Sequence, residues 1–407
     1  MSLHRTMDKR VELLSPAGDM ERLRMALHFG ADAVYVAGKK FGMRAAAVCF
    51  DDDTLHLAVE TAHAAGAKLY VTCNTLPRED ELLLLPDYLT FLQEIGVDAL
   101  IIADLGVMRF AERYAPRVAR HVSTQFGVIN SAAAKALFDM GADTIVLARE
   151  TPLEDIRKIR AAVPAELRIE AFVHGAMCVS FSGRCLLSNY MTGRDANRGQ
   201  CAQPCRWKYH LVEETRPGEY YEISEDGGTF IMNSRDMRMI EHLPELIDAG
   251  VDSFKIEGRA KSAYYTAAVT NAYRHALDAA LHGETLDKIW IDETDKFSHR
   301  PYSTGFYFGD PGQYVDAIGR STDCDFVATV ESCDEDGNAV LTQRNKFCRG
   351  DTLELLTNDA PPLSFSAGEM FDAEGEAIED AHCAMMTVRM KLPRRAEPLS
   401  ILRKPRT

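Results

Sequence analysis

The sequence predicts an α/β fold: a (β/α)8 TIM-like barrel with a cysteine-rich insertion after its seventh strand, followed by a small C-terminal β-barrel domain. One short phrase recurs four times, as GADAVYV at Gly30, GVDALII at Gly96, GADTIVL at Gly141 and GVDSFKI at Gly250. Four more apolar runs alternate with these, and past residue 300 the pattern changes to short runs separated by Gly, Asp, Asn and Pro.

Each recurrence follows an amphipathic run. It has the form of a helix closed by glycine at its C′ position, a short polar turn, then an apolar run suited to a buried parallel strand. The intervening runs are VELLSPAG from Val11, KLYVTCN from Lys68, ARHVSTQ from Ala119 and RIEAFVHG from Arg168, which brings the strands to eight. Helical patterns such as DDTLHLAVETAHAAG, SAAAKALFDMG and PLEDIRKIRAAV fill the gaps. Eight alternating units suit a closed barrel better than a doubly wound open sheet.

The expected domains are 1–300 for the barrel, with the cysteine-rich loop at 176–210, and 301–407 for an antiparallel β domain. Within the latter, FVATVESC, NAVLTQRN, DTLELL and MMTVRMKL read as strands. The stretch from Lys391, KLPRRAEPLSILRKPRT, is basic within an acidic chain and reads as a solvated tail.

A chain of 407 residues exceeds what one hydrophobic core usually serves, and 46% hydrophobic with 26% charged residues is ordinary globular composition. The N-terminus, MSLHRTMDKR, lacks a signal-peptide apolar region, and no run approaches the roughly 18 apolar residues of a membrane span. A cytoplasmic protein without a membrane partner is expected. There, ten cysteines read as thiols or metal ligands rather than disulfides. The formal net charge of -15 excludes a protein that coats nucleic acid indiscriminately, while a local basic patch remains compatible with RNA.

In such barrels the chemistry sits at the C-terminal ends of the strands. Those ends are polar here: Ser15 to Asp19, then Lys39, Lys40 and Arg44, Cys73 and Asn74, Asp104, and Ser123 to Gln125. They continue with Arg149 and Glu150, Glu170 and His174, and Lys255, Glu257 and Arg259. Some, such as Asp19 and Thr151, are expected only to cap helices.

Between strands seven and eight lie Cys178, Cys185, Cys201 and Cys205, in the pattern CxxxxxxC, fifteen residues, CxxxC. Four thiols in a loop that no barrel needs read as soft ligands for a thiophilic metal. Structural zinc favours paired CxxC knuckles, so the irregular spacing favours a [4Fe-4S] cluster, with zinc as the alternative. A metal-stapled lid without a redox role also fits the spacing. Arg184, Arg194, Arg198, Arg206 and Lys208 surround the thiols with only Asp195 opposing, a field that favours thiolates and equally suits RNA phosphates. Cys49 and Cys73 fall near the barrel mouth as spare ligands or small core residues, and Cys324, Cys333, Cys348 and Cys383 belong to the second domain.

From Glu170 to Ser188 the chain matches ExFxHGAxCxSxSGRCxxS, and related segments are SPAGD at Ser15, the Arg149–Glu150 pair, CAQPCRWKY, MNSRDM, FKIEGRAKSAYY and RPYSTGFYFGDPGQ. In these it resembles the U32 family, historically labelled peptidases. The nearest resemblance within that family is to the prephenate-dependent tRNA uridine(34) hydroxylases, which form 5-hydroxyuridine at the wobble position. Relatives act in ribosomal RNA cytidine hydroxylation and oxygen-independent ubiquinone hydroxylation.

The resemblance implies an iron-sulfur cluster held by Cys178, Cys185, Cys201 and Cys205. Some relatives draw a ligand from downstream, where this chain has Asp236, Met237 and Arg238, which leaves Cys205 as the fourth ligand. It also implies tRNA and prephenate, or a similar dicarboxylate, as partners, and a partner protein is compatible. For such an activity, Arg44, Arg149 and Arg259 are candidates for an anion pocket, with Lys255 and Glu257 beside them as substrate-binding residues. Glu170 and His174 are candidates to move protons. Phe181, Tyr190, Trp207 and Tyr209 offer faces for an unpaired base, and the arginine-rich loop and basic tail offer phosphate contacts. Two other readings stay open. A U32-type peptidase or hydrolase would have to rely on Cys178 and His174, because neither GxSxG nor HExxH occurs. A non-catalytic RNA-binding or assembly protein would use the metal only structurally.

Overall fold

A computed structural model describes residues 11–42, 49–178, 180–207, 211–212, 215, 218, 220–221, 234–312 and 323–406. Eight strands form the barrel: β1 (Glu12–Pro16), β2 (Ala33–Val36), β3 (Lys68–Cys73), β4 (Ala99–Ile102), β5 (Ala119–Val122), β6 (Thr144–Val146), β7 (Arg168–Ala176) and β8 (Ser253–Ile256). Each pairs in parallel with the next, and β8 pairs with both β7 and β1, so the sheet closes as the repeat count predicts. The connecting helices include α1 (Met20–His28), α2 (Asp52–Ala64), α3 (Leu85–Glu94), α4 (Leu105–Tyr114), α5 (Ser131–Asp139), α6 (Leu153–Ala162) and α7 (Leu243–Asp248).

The four recurring phrases do one structural job. Gly30, Gly96, Gly141 and Gly250 have φ values of 93, 84, 93 and 90°, the left-handed conformation that ends a helix without Cβ strain. Two residues on, an aspartate turns back to the preceding odd-numbered strand. Asp32 accepts the N–H of Leu13 at 2.9 Å, Asp98 that of Leu69 at 2.8 Å, Asp143 that of Arg120 at 2.8 Å and Asp252 that of Ile169 at 2.9 Å. The same aspartates exchange backbone hydrogen bonds with both neighbouring odd strands, as where Asp98 donates to Leu69 and accepts from Ala119. Four such clasps satisfy the N-terminal rim, where strand starts otherwise leave polar groups unpaired.

Inside the barrel, Leu14, Ala33, Tyr35, Tyr70, Ala99 and Ile101 pack together, and beside them runs a buried polar network. Glu12 accepts from the Tyr70 hydroxyl at 2.7 Å and from Ser253 at 2.9 Å, and pairs with Arg168 at 3.3 Å. His121 is buried against the Tyr70 ring, and its Nδ1 has no hydrogen-bond partner among the described residues. Beyond the barrel strands, Asp236–Arg238 runs antiparallel to the end of β7 and parallel to Tyr302–Ser303. Asp236 clasps Arg300 through contacts of 2.6 and 3.0 Å, both side chains buried.

The chain divides into two compact units, and the boundary is not a single cut at residue 300. Met1–Leu23, Ala31–Ala260 and Arg300–Gly319 form the barrel unit; Arg24–Gly30, Lys261–His299 and Arg320–Thr407 form the other. The second unit contains helix α8 (Ala263–His282) and an antiparallel sheet. Its strands are β9 (Cys324–Cys333), β10 (Asn338–Gln343), β11 (Thr352–Leu356), β12 (Leu363–Ser366), β13 (Met370–Phe371), β14 (Ala377–Ile378), β15 (Thr387–Lys391) and β16 (Ile401–Pro405). They lie in the order β12-β11-β16-β9-β10-β15-β13-β14 over a core that includes Val327, Leu341, Phe347, Leu353 and Leu402.

The expected solvated basic tail is corrected here. Ile401–Pro405 pairs with both β9 and β11, and Arg403 is fully buried, bound to Glu293 at 2.6 and 2.7 Å and to Glu354 at 2.7 Å. Lys404 pairs with Asp351 at 2.7 Å and Arg406 with Asp325 at 2.6 Å. The strand forms because Ile401 and Leu402 are apolar and the arginine finds two carboxylates, a pairing invisible from local charge.

Candidate active site at the barrel mouth

The C-terminal strand ends and the cysteine-rich loop enclose one cavity of about 630 Å³. The barrel contributes Tyr35, Thr72, Asn74, Gln125, Arg149, Phe172, Lys255, Glu257 and Arg259, and the loop contributes all four of Cys178, Cys185, Cys201 and Cys205 with Arg194 and Arg206. Residues distant in sequence thus meet where such barrels place their chemistry.

The cations of the wall are held by fixed partners. Arg149 donates to the Ala176 carbonyl at 3.1 Å, lies 4.0 Å over the Phe172 ring and approaches Glu257 at 3.5 Å. Arg259, on the turn after β8, donates to the Thr72 hydroxyl at 3.0 Å. Lys255 donates to Glu170 at 2.7 Å, with Nζ 4.6 Å from the Tyr35 ring and 5.7 Å from the Phe172 ring. Burial raises the Glu170 carboxyl above its ordinary range, against the opposing pull of the Lys255 ammonium. Planar guanidinium groups in a partly apolar cavity suit a carboxylate ligand.

The loop is tied down on both sides. Glu150 accepts the Ser182 backbone N–H at 3.0 Å and its hydroxyl at 2.9 Å. Gly183, at φ 73°, crosses the Gln125 carbonyl so closely that a Cβ would stand 2.3 Å from the oxygen. Arg198 reaches the Leu76 carbonyl at 2.7 Å and Glu81 at 2.6 Å.

Cys178 and Cys201 are exposed and Cys185 and Cys205 half-buried. The sulfur of Cys201 accepts the Gln203 N–H at 3.4 Å, a contact type that tunes thiolate ligands. Burial pushes the Cys205 thiol up; the Arg206 guanidinium opposes this, and the three other cysteines add to it. For Cys205 the Arg206 guanidinium acts in the expected direction, and burial outweighs it. Among the described residues no three His, Cys, Asp or Glu side chains are gathered tightly enough to ligate a metal ion. The donor set nevertheless fits a thiophilic cluster: four thiols line one cavity, with the Arg206 guanidinium beside Cys205 and Cys178.

Of the residues expected at the site, Arg149, Lys255, Glu257 and Arg259 line the cavity together, while Arg44, Lys208 and Tyr209 lie outside the described residues. Glu170 sits beneath Lys255 rather than on the cavity wall, because its position on β7 turns it into the barrel interior. His174 is also off the wall; it is buried, with its ring 5.5 Å from that of Tyr302. Cys178 lines the cavity and His174 does not.

Arg198 is committed to Glu81, whereas Arg184 and Arg194 are exposed. Asp104 caps α4, accepting from Val107 at 3.0 Å, and Asp19 accepts from Arg22 at 2.9 Å. Thr151 does not cap a helix; its hydroxyl donates to Ala148 at 2.8 Å. Cys73 is buried, its thiol pushed up to about 12, and neither it nor Cys49 lines the cavity. Sequence reasoning passed over Arg22, Tyr35 and Phe172, all wall residues. Their signal was position alone: the first turn after β1 and inward-facing sites near strand ends.

The model of "Peptidase family U32" matches residues 18–317, and that of "Peptidase family U32 C-terminal domain" matches residues 322–403. The chain is 38% identical over 407 residues to "tRNA hydroxylation protein P1" of Bacillus subtilis, covering 98% of this chain and 96% of that protein. It is 36% identical over 430 residues to "tRNA hydroxylation protein P" of Escherichia coli, covering 95% and 94%. To an Escherichia coli 23S rRNA 5-hydroxycytidine synthase it is 42% identical over 301 residues, covering 72% of this chain and 44% of that protein. With both family models matched in order and similarity extending over nearly the whole length, the chain belongs to peptidase family U32.

Proposed function

We propose that this chain is a tRNA hydroxylase that converts wobble uridine to 5-hydroxyuridine, with prephenate as co-substrate and a [4Fe-4S] cluster on Cys178, Cys185, Cys201 and Cys205. The observation that carries the reading is the meeting of these four thiols with Arg149, Lys255 and Arg259 around one cavity. The names of near-full-length relatives support tRNA as the substrate. No helix among the described residues is long and apolar enough to cross a membrane.

When bound, the cluster would supply single-electron transfer beside the reacting base. The chain's own residues do the rest. Arg149 and Arg259 hold the carboxylates of the co-substrate, and Phe172, stacked under Arg149, keeps that guanidinium oriented and its surroundings dry. Exposed Arg184 and Arg194 meet phosphates, and exposed Phe181, Tyr190 and Trp207 on the same loop offer stacking faces for an unpaired base.

Mass spectrometry of tRNA nucleosides tests this in a strain lacking its own hydroxylation proteins. The wild-type chain restores 5-hydroxyuridine, and Cys201→Ser or Arg149→Ala does not. Wild-type chain that is expressed, metal-loaded and supplied with prephenate yet leaves uridine unmodified would overturn the reading.

A further inference from the structure

Lys255 has an environment that carboxylate binding alone does not explain. It is 4% exposed and lines the cavity. An ammonium has three N–H donors, yet among the described residues Nζ has one hydrogen-bond acceptor, Glu170 Oε1 at 2.7 Å. The Tyr35 and Phe172 rings flank it, and the Tyr35 hydroxyl is pinned to the Ile256 carbonyl at 3.0 Å, which keeps its ring in place. Rings and carboxylate cover the amine on the barrel side, so the cavity is its open direction. Glu170 is fully buried and its second oxygen, Oε2, has no hydrogen-bond partner among the described residues.

A lysine in apolar surroundings is suited to add to carbonyl carbon once a base takes its proton, and the touching Glu170 carboxylate is placed to be that base. The same wall presents Arg149 and Arg259. A ligand placed by a carboxylate on those guanidiniums and carrying a ketone next to that carboxylate would offer its carbonyl to Nζ.

We propose that Lys255 forms an imine with the ketone of a 2-oxo acid bound in the barrel-mouth cavity. This rests on the reading of the cavity as a carboxylate site and narrows the ligand class; prephenate carries such a ketone. In the step, Glu170 takes one proton from the ammonium and the amine nitrogen attacks the carbonyl carbon. The carbonyl oxygen then collects two protons, one returned by Glu170 and one from nitrogen, and leaves as water. A C=N bond replaces C=O, and nothing is oxidised or reduced. Because burial already favours the protonated form of Glu170, the first transfer is less uphill than it would be to an exposed carboxylate. Lys255 is the catalytic residue here, and Glu170 acts through it.

The test is borohydride trapping on the full chain as purified, without tRNA. The protein is incubated with pyruvate or phenylpyruvate, reduced with borohydride, and examined by intact mass and peptide mapping. The expected result is one reduced adduct on the peptide containing Lys255, absent when lactate replaces pyruvate. Glu170→Gln, which keeps the amine, should slow adduct formation at least tenfold while leaving thermal unfolding cooperative. No adduct, or adducts spread over exposed lysines, would overturn the proposal, as would trapping in Glu170→Gln at the wild-type rate. The outcome is separable from tRNA hydroxylation: if nucleoside analysis shows 5-hydroxyuridine but no adduct forms, the imine falls and the hydroxylase stands. An adduct without tRNA modification gives the converse.

Discussion

The Glu150 carboxylate grips Ser182 at both its backbone N–H, 3.0 Å away, and its hydroxyl, 2.9 Å away, and so fastens the first half of the cysteine-rich loop to the turn that follows β6. A carboxylate with two such donors is worth about 1–3 kcal/mol of local stability. Glu150→Ala should therefore leave global unfolding nearly unchanged while loosening the loop. Loss of bound metal to a chelator, followed by visible absorption, should be roughly tenfold faster than in wild type, the rate equivalent of about 1.4 kcal/mol.

The four loop cysteines and the two near the barrel should respond differently to substitution. Anaerobically purified wild type should contain iron and sulfide in near-equal amounts, and Cys201→Ser should lose most of both. Cys73→Ser should keep them, because that thiol is buried off the cavity wall. Elemental analysis and sulfide determination decide; zinc without sulfide would point instead to a structural staple.

His121 makes stability depend on pH. Burial first, then the charges of Arg168, Lys255 and Lys68, hold it well below its ordinary value of 6.5, so it is neutral in the fold. The unfolded chain takes up a proton near 6.5 and the folded one does not, so stability is complete above that pH and falls as pH drops below it. The slope is about 1.4 kcal/mol per pH unit until the folded value is reached. His121→Leu should flatten that limb, measured by denaturant unfolding at pH 7.5, 6.5 and 5.5.

Arg403 anchors the last strand of the second unit through Glu293 and Glu354, and its side chain is 1% exposed. Arg403→Met strands two carboxylates and should cost about 3–5 kcal/mol. Adding Glu293→Gln and Glu354→Gln should recover part of the loss, read as a shift in the midpoint of thermal unfolding.

The barrel was legible because its signals are local. A helix-stopping glycine, an aspartate two residues later and an apolar run repeat four times, and each phrase fits only an α-to-β joint. The four-cysteine loop was legible because thiols concentrated in a polar segment have few other uses. What escaped involves pairs whose members say nothing alone. Asp236 and Arg300, Glu150 and Ser182, and Arg403 and Glu293 are each distant in sequence and ordinary as surface residues. The terminal strand read as a tail for the same reason: arginine signals solvent unless its carboxylates are known. Glu170 and Lys255 were visible as strand ends, but not that one lies beneath the other.

The barrel mouth concentrates cations on an acidic chain: Arg149, Arg194, Arg206, Lys255 and Arg259 line one cavity, with Glu257 among them. At the opposite rim the clasp aspartates are partly matched, Asp252 by Arg160 at 3.4 Å and Asp98 by His63 at 2.9 Å. On a chain of formal net charge -15, that local excess of cations works as a guide. A polyanion nearing such a mouth should meet local attraction against an overall repulsion, which orients encounter before contact forms. The overall acidity that argues against indiscriminate nucleic-acid binding thereby sharpens selective entry, and added salt, by shortening the reach of both fields, should blunt the two effects together.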